Sequence, residues 1–170
     1  MSYTNIALLI ILLIAVLTDL SQRRIPNLLT FPAMLLGLLA HSYQSGVDGL
    51  LFSIGGLAMG LGLLLFFYLF GMMGAGDVKL MGAVGSFLGP PGVSQAFLFT
   101  ALAGGIYAVV VLALKGQLWR FLKRLGLSLY LSIAKRKPAL VPDEGANELP
   151  VLCYGVAIAV GTTVSMFYRF

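Results

Sequence analysis

The chain has 170 residues, of which 59% are hydrophobic and 10% charged, and its mean hydropathy is +0.99. These values exclude a soluble globular domain and leave no length for one beside the apolar segments, so a single membrane-embedded domain, residues 1–170, is expected. The net charge of +5 would raise nucleic acid as a partner in a soluble protein. Here the basic residues flank apolar runs, where they set topology and meet anionic headgroups, so a lipid bilayer is the expected partner and nucleic acid is not.

The first apolar run, about 4–20, lacks a basic segment before it and is closed by Asp19, which argues for a retained span over a cleaved signal peptide. Runs at about 26–43, 50–72, 93–114 and 150–168 follow, each long enough or nearly so to cross roughly 30 Å of hydrocarbon. Between the third and the run at 93–114 lies a shorter one, Val78 to Leu88, closed by Gly89-Pro90-Pro91-Gly92, which no helix crosses intact. It is either a short tilted span or a re-entrant piece. Gly55, Gly56, Gly60, Gly62, Gly104 and Gly105 are expected to let helices pack closely. From Gln117 to Ala134, Arg120, Lys123 and Arg124 fall mostly on one helical face and Leu118, Leu122, Leu125 and Leu129 on another. This predicts an amphipathic helix in the cytoplasmic interface. The polar stretch Lys135 to Glu148 reads as an exposed loop.

Charge orients these elements. With the N-terminus outside and Val78–Leu88 crossing, ten of the eleven basic residues lie inside and only Arg169 outside. A re-entrant Val78–Leu88 would send seven of them outward. The expectation is therefore an all-α polytopic protein with six transmembrane helices and a cytoplasmic interfacial helix. Asp19 and Asp77 then share the cytoplasmic side.

Acids are scarce in this chain, and two stand at the ends of apolar runs: Asp19, and Asp77 in Gly74-Ala75-Gly76-Asp77. Carboxylates so placed are functional candidates. Two of them at close range do not both ionise readily, which leaves a protonated acid beside an ionised base. Such a pair can activate water, polarise a peptide carbonyl and protonate a leaving amine. Gly74 and Gly76 let backbone approach backbone, so an extended substrate could lie along this loop as an added strand. Lys79 either holds the loop or contacts substrate. The plain alternatives are a solvated turn for Asp77 and a surface charge beside Arg23 and Arg24 for Asp19. Asp48 falls on the outer side, and Asp143, Glu144 and Glu148 in the polar loop. The single cysteine, Cys153, reads as a small core residue and excludes an intrachain disulfide or cysteine-rich zinc site. The single histidine, His41, excludes a zinc-protease motif, and Ser86 lacks a serine-nucleophile context. No metal or cofactor is expected.

The stretches Asp19-Leu-Ser-Gln-Arg-Arg-Ile-Pro-Asn-Leu-Leu-Thr and Gly74-Ala-Gly-Asp-Val-Lys-Leu-Met-Gly-Ala-Val-Gly resemble the two motifs of type IV prepilin peptidases, aspartic membrane proteases of the GxGD class. Leu149-Pro150-Val-Leu-Cys-Tyr-Gly-Val-Ala-Ile-Ala-Val-Gly resembles that family's last span. The resemblance implies that Asp19 and Asp77 are the catalytic pair. It implies a prepilin or pilin-like precursor as substrate, cut after a glycine behind a short basic leader, in the bacterial inner membrane and at its cytoplasmic face. Pilus or secretion assembly proteins would be further partners. The chain opens directly on its first span without paired cysteines, which resembles the short, Flp/Tad-type branch lacking a methyltransferase region. Two rivals from other classes stand beside this: a proton-coupled transporter subunit using Asp19 and Asp77 as a relay, and a structural assembly factor.

Overall fold

The computed structural model describes residues 3–116, 119, 123 and 153–168. The chain divides into two compact units, Met1–Gly104 with Cys153–Phe170, and Gly105–Leu152. The described residues form four α-helices: α1 (Tyr3–Gln22), α2 (Asn27–Leu69), α3 (Ala75–Leu114) and α4 (Tyr154–Phe167). The first three are long and apolar enough to cross a membrane; α4 is apolar but shorter. All-helical structure is what a bilayer demands, because a helix satisfies its backbone N–H and C=O groups internally. Many large apolar side chains point outward, among them Leu13, Leu17, Leu28, Leu51, Leu102 and Ile106, as lipid-facing surfaces require.

Six separate spans are expected from the sequence, whereas four helices are described. The difference has a local cause, because two of the connections are breaks of one or two residues and not loops. Within α2, Ser45 (φ −136°) and Gly46 (φ 60°, ψ −134°) leave helical geometry, and within α3 Gly89 does (φ 67°, ψ −177°). At each break the chain doubles back. A methyl added at Gly82 would meet Leu61 Cδ2 at 2.7 Å and Met34 Cε at 3.2 Å. A straight helix would hold Met34 and Leu61 about 40 Å apart. The His41 and Phe52 rings also come together, with centroids 5.5 Å apart. In α3, Met81 backs onto Gly60 while the Ser94 hydroxyl donates to Met59 Sδ at 3.6 Å, so 81 and 94 flank one short stretch of α2. Pro90 and Pro91 follow the break, in a first turn where the missing N–H has no intrahelical partner to lose.

The two helical hairpins interlock through small residues. Gly56 backs onto the Gly85 carbonyl and onto Gly89, Gly60 onto the Met81 carbonyl, and Gly37 onto Ser86. A Cβ at any of these glycines would collide with a neighbouring helix, which is the close packing expected of such residues. Gly62 and Gly105 meet nothing within 4 Å and take no part. The short run expected at Val78–Leu88 is the core of the first unit. Every residue from Leu80 to Gly89 is buried, and Leu80, Met81, Ala83 and Val84 are wholly enclosed. A helix apolar all round belongs in a core, and enclosure by neighbours removes the need to match the bilayer in length. The buried Ser53 hydroxyl donates to the Ser86 carbonyl at 2.6 Å, pinning α2 to this core. α1 packs against α4 and α2.

In the second unit, Trp119 and Lys123 are helical, and the Lys123 ammonium lies 5.4 Å from the Trp119 ring centroid. The rest of the interfacial helix expected over Gln117–Ala134, and the loop expected over Lys135–Glu148, lie outside the described residues.

Candidate functional site

Asp19 lies in the last turn of α1 and is 6% exposed. Its Oδ2 accepts the backbone N–H of Gly155 at 2.9 Å. Gly155 is the second residue of α4, so its N–H is among those with no partner inside the helix. Cys153, which precedes α4, makes no side-chain cap. A carboxylate carried by α1 therefore caps α4. The end of α1 is turned by Arg23, at a left-handed φ of 51°, whose N–H donates back to the Asp19 carbonyl at 2.8 Å.

Asp77 is the third residue of α3. Its Oδ2 accepts the N–H of Gly74 at 3.2 Å, and its own N–H donates to the Gly74 carbonyl at 3.2 Å. This is the acidic half of a capping box, with glycine in the capping position. The sequence suggests an open loop over Gly74–Asp77. In the structure Ala75, Gly76 and Asp77 already form the first helical turn, and only Gly74 lies outside it. Gly76 abuts Ile25, where an added Cβ would lie 3.1 Å from Ile25 Cβ. Lys79 donates to Asn27 Oδ1 at 2.8 Å, and its ammonium sits 5.1 Å from the Phe31 ring centroid. It thus ties the first turn of α3 to the start of α2.

These elements meet around one cavity of about 400 Å³, lined by Asp19, Arg23, Arg24, Ile25, Gly74, Ala75, Gly76 and Asp77. Two carboxylates far apart in sequence thus open on a shared space of mixed charge, large enough for water and a stretch of extended peptide. Each carboxyl group has Oδ2 engaged by a backbone N–H. A proton carried by either is best placed on the other oxygen, since the N–H favours the carbonyl-type oxygen as acceptor. Among the described residues no group of three or more His, Cys, Asp or Glu side chains could hold a metal ion.

Two neighbours of Asp19 carry no mark of it in the sequence. Gly155 contributes only a backbone N–H and the absence of a side chain. Cys153, expected in the core, is half-buried, with Sγ 4.0 Å from the Asp19 carbonyl oxygen. Burial, then the Asp19 charge, pushes its thiol above the ordinary value. The remaining candidates lie apart from the cavity. Asp48 is exposed near the α2 break. Ser86 is fully buried, and its hydroxyl donates to the Ala83 carbonyl at 2.8 Å. His41 Nδ1 lies 3.2 Å from the Gly37 carbonyl oxygen. Asp143, Glu144 and Glu148 lie outside the described residues.

A family model described as the type IV leader peptidase family matches residues 6–109, more than half of the chain and inclusive of Asp19 and Asp77. Among the curated proteins and among the solved structures, nothing matches the chain significantly.

Proposed function

This chain belongs to the type IV leader peptidase family, and from that premise we propose that it is an aspartic endopeptidase of the membrane with Asp19 and Asp77 as its catalytic pair. The observation that carries this reading is the single cavity of about 400 Å³ on which both carboxylates open. A water molecule between them loses a proton to the ionised carboxylate as its oxygen attacks the scissile carbonyl. The protonated carboxyl group gives its proton to the carbonyl oxygen. Collapse of the resulting diol breaks the C–N bond: one diol hydroxyl gives its proton to the ionised carboxylate while the leaving amine takes the proton of the other carboxyl group. One proton is thus held between two groups throughout, and activity should follow a bell-shaped pH profile that belongs to the pair.

The substrate of this reading is a pilin-like precursor with a short basic leader, as in an Flp-type system, cut after a glycine. Gly74 lies where an extended substrate backbone could approach, and Lys79 holds the first turn of α3 through Asn27. The breaks at Ser45–Gly46 and Gly89 support six crossings, with arms at 27–44, 47–69, 75–88 and 90–114 beside α1 and α4. With the N-terminus outside, both aspartates face the cytoplasm of a bacterial inner membrane. The whole chain, 1–170, serves as one peptidase domain.

The test is co-expression with pilin precursors, followed by N-terminal sequencing of the shortened product. Asp19→Asn and Asp77→Asn should each lower kcat by about 10²-fold or more, the scale of a lost acid–base group, with the protein still folded. Full cleavage by either variant overturns the reading. Proton-dependent uptake into vesicles without any cleavage would favour a transporter instead.

A further inference from the structure

The match to the peptidase family ends at residue 109, yet one of the contacts that fixes the candidate pair comes from beyond it. Gly155 touches Asp19 in two ways. Its N–H donates to Oδ2 at 2.9 Å, and its missing side chain leaves the space the carboxylate occupies. A Cβ there would lie 2.7 Å from Oδ2, 3.1 Å from Cγ and 3.2 Å from Asp19 Cβ. All three atoms belong to a side chain that is 6% exposed, so it has little room to swing aside. By contrast, the N–H holding Asp77 comes from Gly74, three residues away in its own turn and exposed. The two carboxylates are therefore held unequally, Asp77 by its own helix start and Asp19 by another helix.

We propose that Gly155 is a positioning residue for Asp19. By engaging Oδ2 and leaving the space the carboxylate fills, it leaves Oδ1 for the cavity and makes the start of α4 a working part of the site. This role rests on the protease reading given above. Removing the contact does two things to the pair. It displaces a reacting oxygen, where an error of about 1 Å costs about 10²-fold in rate. It also frees Oδ2 to carry the proton, which moves the pH dependence of the pair. Loss of packing alone would do neither in the protein that remains folded.

The experiment uses the full chain in lipid vesicles with a pilin precursor as substrate. Gly155→Ala should lower kcat by about 10²-fold, leave KM within about threefold, and displace the pH–rate profile by about half a unit or more. The packing control is Gly161→Ala on the same helix, where a Cβ would collide with the backbone N and side chain of Thr100 and not with Asp19. It should lower thermal stability while keeping kcat within about threefold and the pH profile in place. A folded Gly155→Ala protein with wild-type kcat and pH profile overturns the proposal, as does a Gly161→Ala protein that shows the same kcat loss and pH displacement. Where Gly155→Ala does not fold, amide hydrogen exchange decides. Asp19→Ala should speed exchange at Gly155 by about tenfold or more through loss of its acceptor, and Asp77→Ala should not. Unchanged exchange in Asp19→Ala overturns the proposal. A wild-type chain that cleaves no precursor removes the protease reading, and this role with it, even if exchange at Gly155 responds to Asp19.

Discussion

At the scale of single residues, the site uses backbone donors to hold acids. Asp19 and Asp77 each present one oxygen to a backbone N–H. Both aspartates were legible in the sequence, because an acid closing an apolar run is costly and stands out. Gly155 was not, since a glycine that supplies an amide and empty space looks like any other glycine in an apolar helix. Cys153 offers a check on this neighbourhood. Its thiol is pushed up first by burial and then by the Asp19 charge. Asp19→Asn removes that charge and leaves the burial, so the thiol should ionise more readily at a given pH. Its reaction with a small maleimide near pH 8 should quicken, because the thiolate is the reacting form. Asp48→Asn, far from the thiol and exposed, should leave the rate unchanged. An equal rate in Asp19→Asn and wild type would contradict the influence of the Asp19 charge on the thiol.

At the scale of elements, helix ends and breaks decide the architecture. The apolar runs were legible from hydropathy. Their joining was not, because a turn made by Ser45–Gly46 or by Gly89 is short enough that neither length nor polarity announces it. The breaks differ in surroundings, and this separates two energetic effects. Gly46 has φ 60° with nothing within 4 Å of an added Cβ. Gly89 has φ 67°, and its Cβ would collide with the Phe52 ring. Gly46→Ala should therefore cost only backbone strain, about 1–3 kcal/mol. Gly89→Ala should add an overpacking penalty of about 1–3 kcal/mol to a similar strain. Reversible unfolding in detergent should rank Gly89→Ala below Gly46→Ala. Equal stability of the two variants would mean that Phe52 moves aside freely. At the start of α3, Gly-Ala-Gly suggests an open loop. The reciprocal bonds between Gly74 and Asp77 close it into a helical turn.

At the scale of the whole molecule, the proposed topology puts Asp19, Asp77 and ten of the eleven basic residues on one side of the bilayer. Single-cysteine variants in a Cys153→Ser background test it with a membrane-impermeant reagent applied from outside. Positions 44 and 48, near the α2 break, should label, and positions 23 and 79 should not. Labelling at 79 from outside would refute the shared cytoplasmic side. The bond from Gly155 to Asp19 has a bearing on the order in which the protein is made. Asp19 emerges from the ribosome 136 residues before Gly155, so the first helix waits for its partner while the chain between them is made. A nascent chain lacking α4 holds Asp19 without that restraint, in a place where a mobile carboxylate does little. Under the proposed role, a proteolytic centre assembles only once translation has passed its last described helix, and half-made copies pose no hazard to the membrane in which they are built.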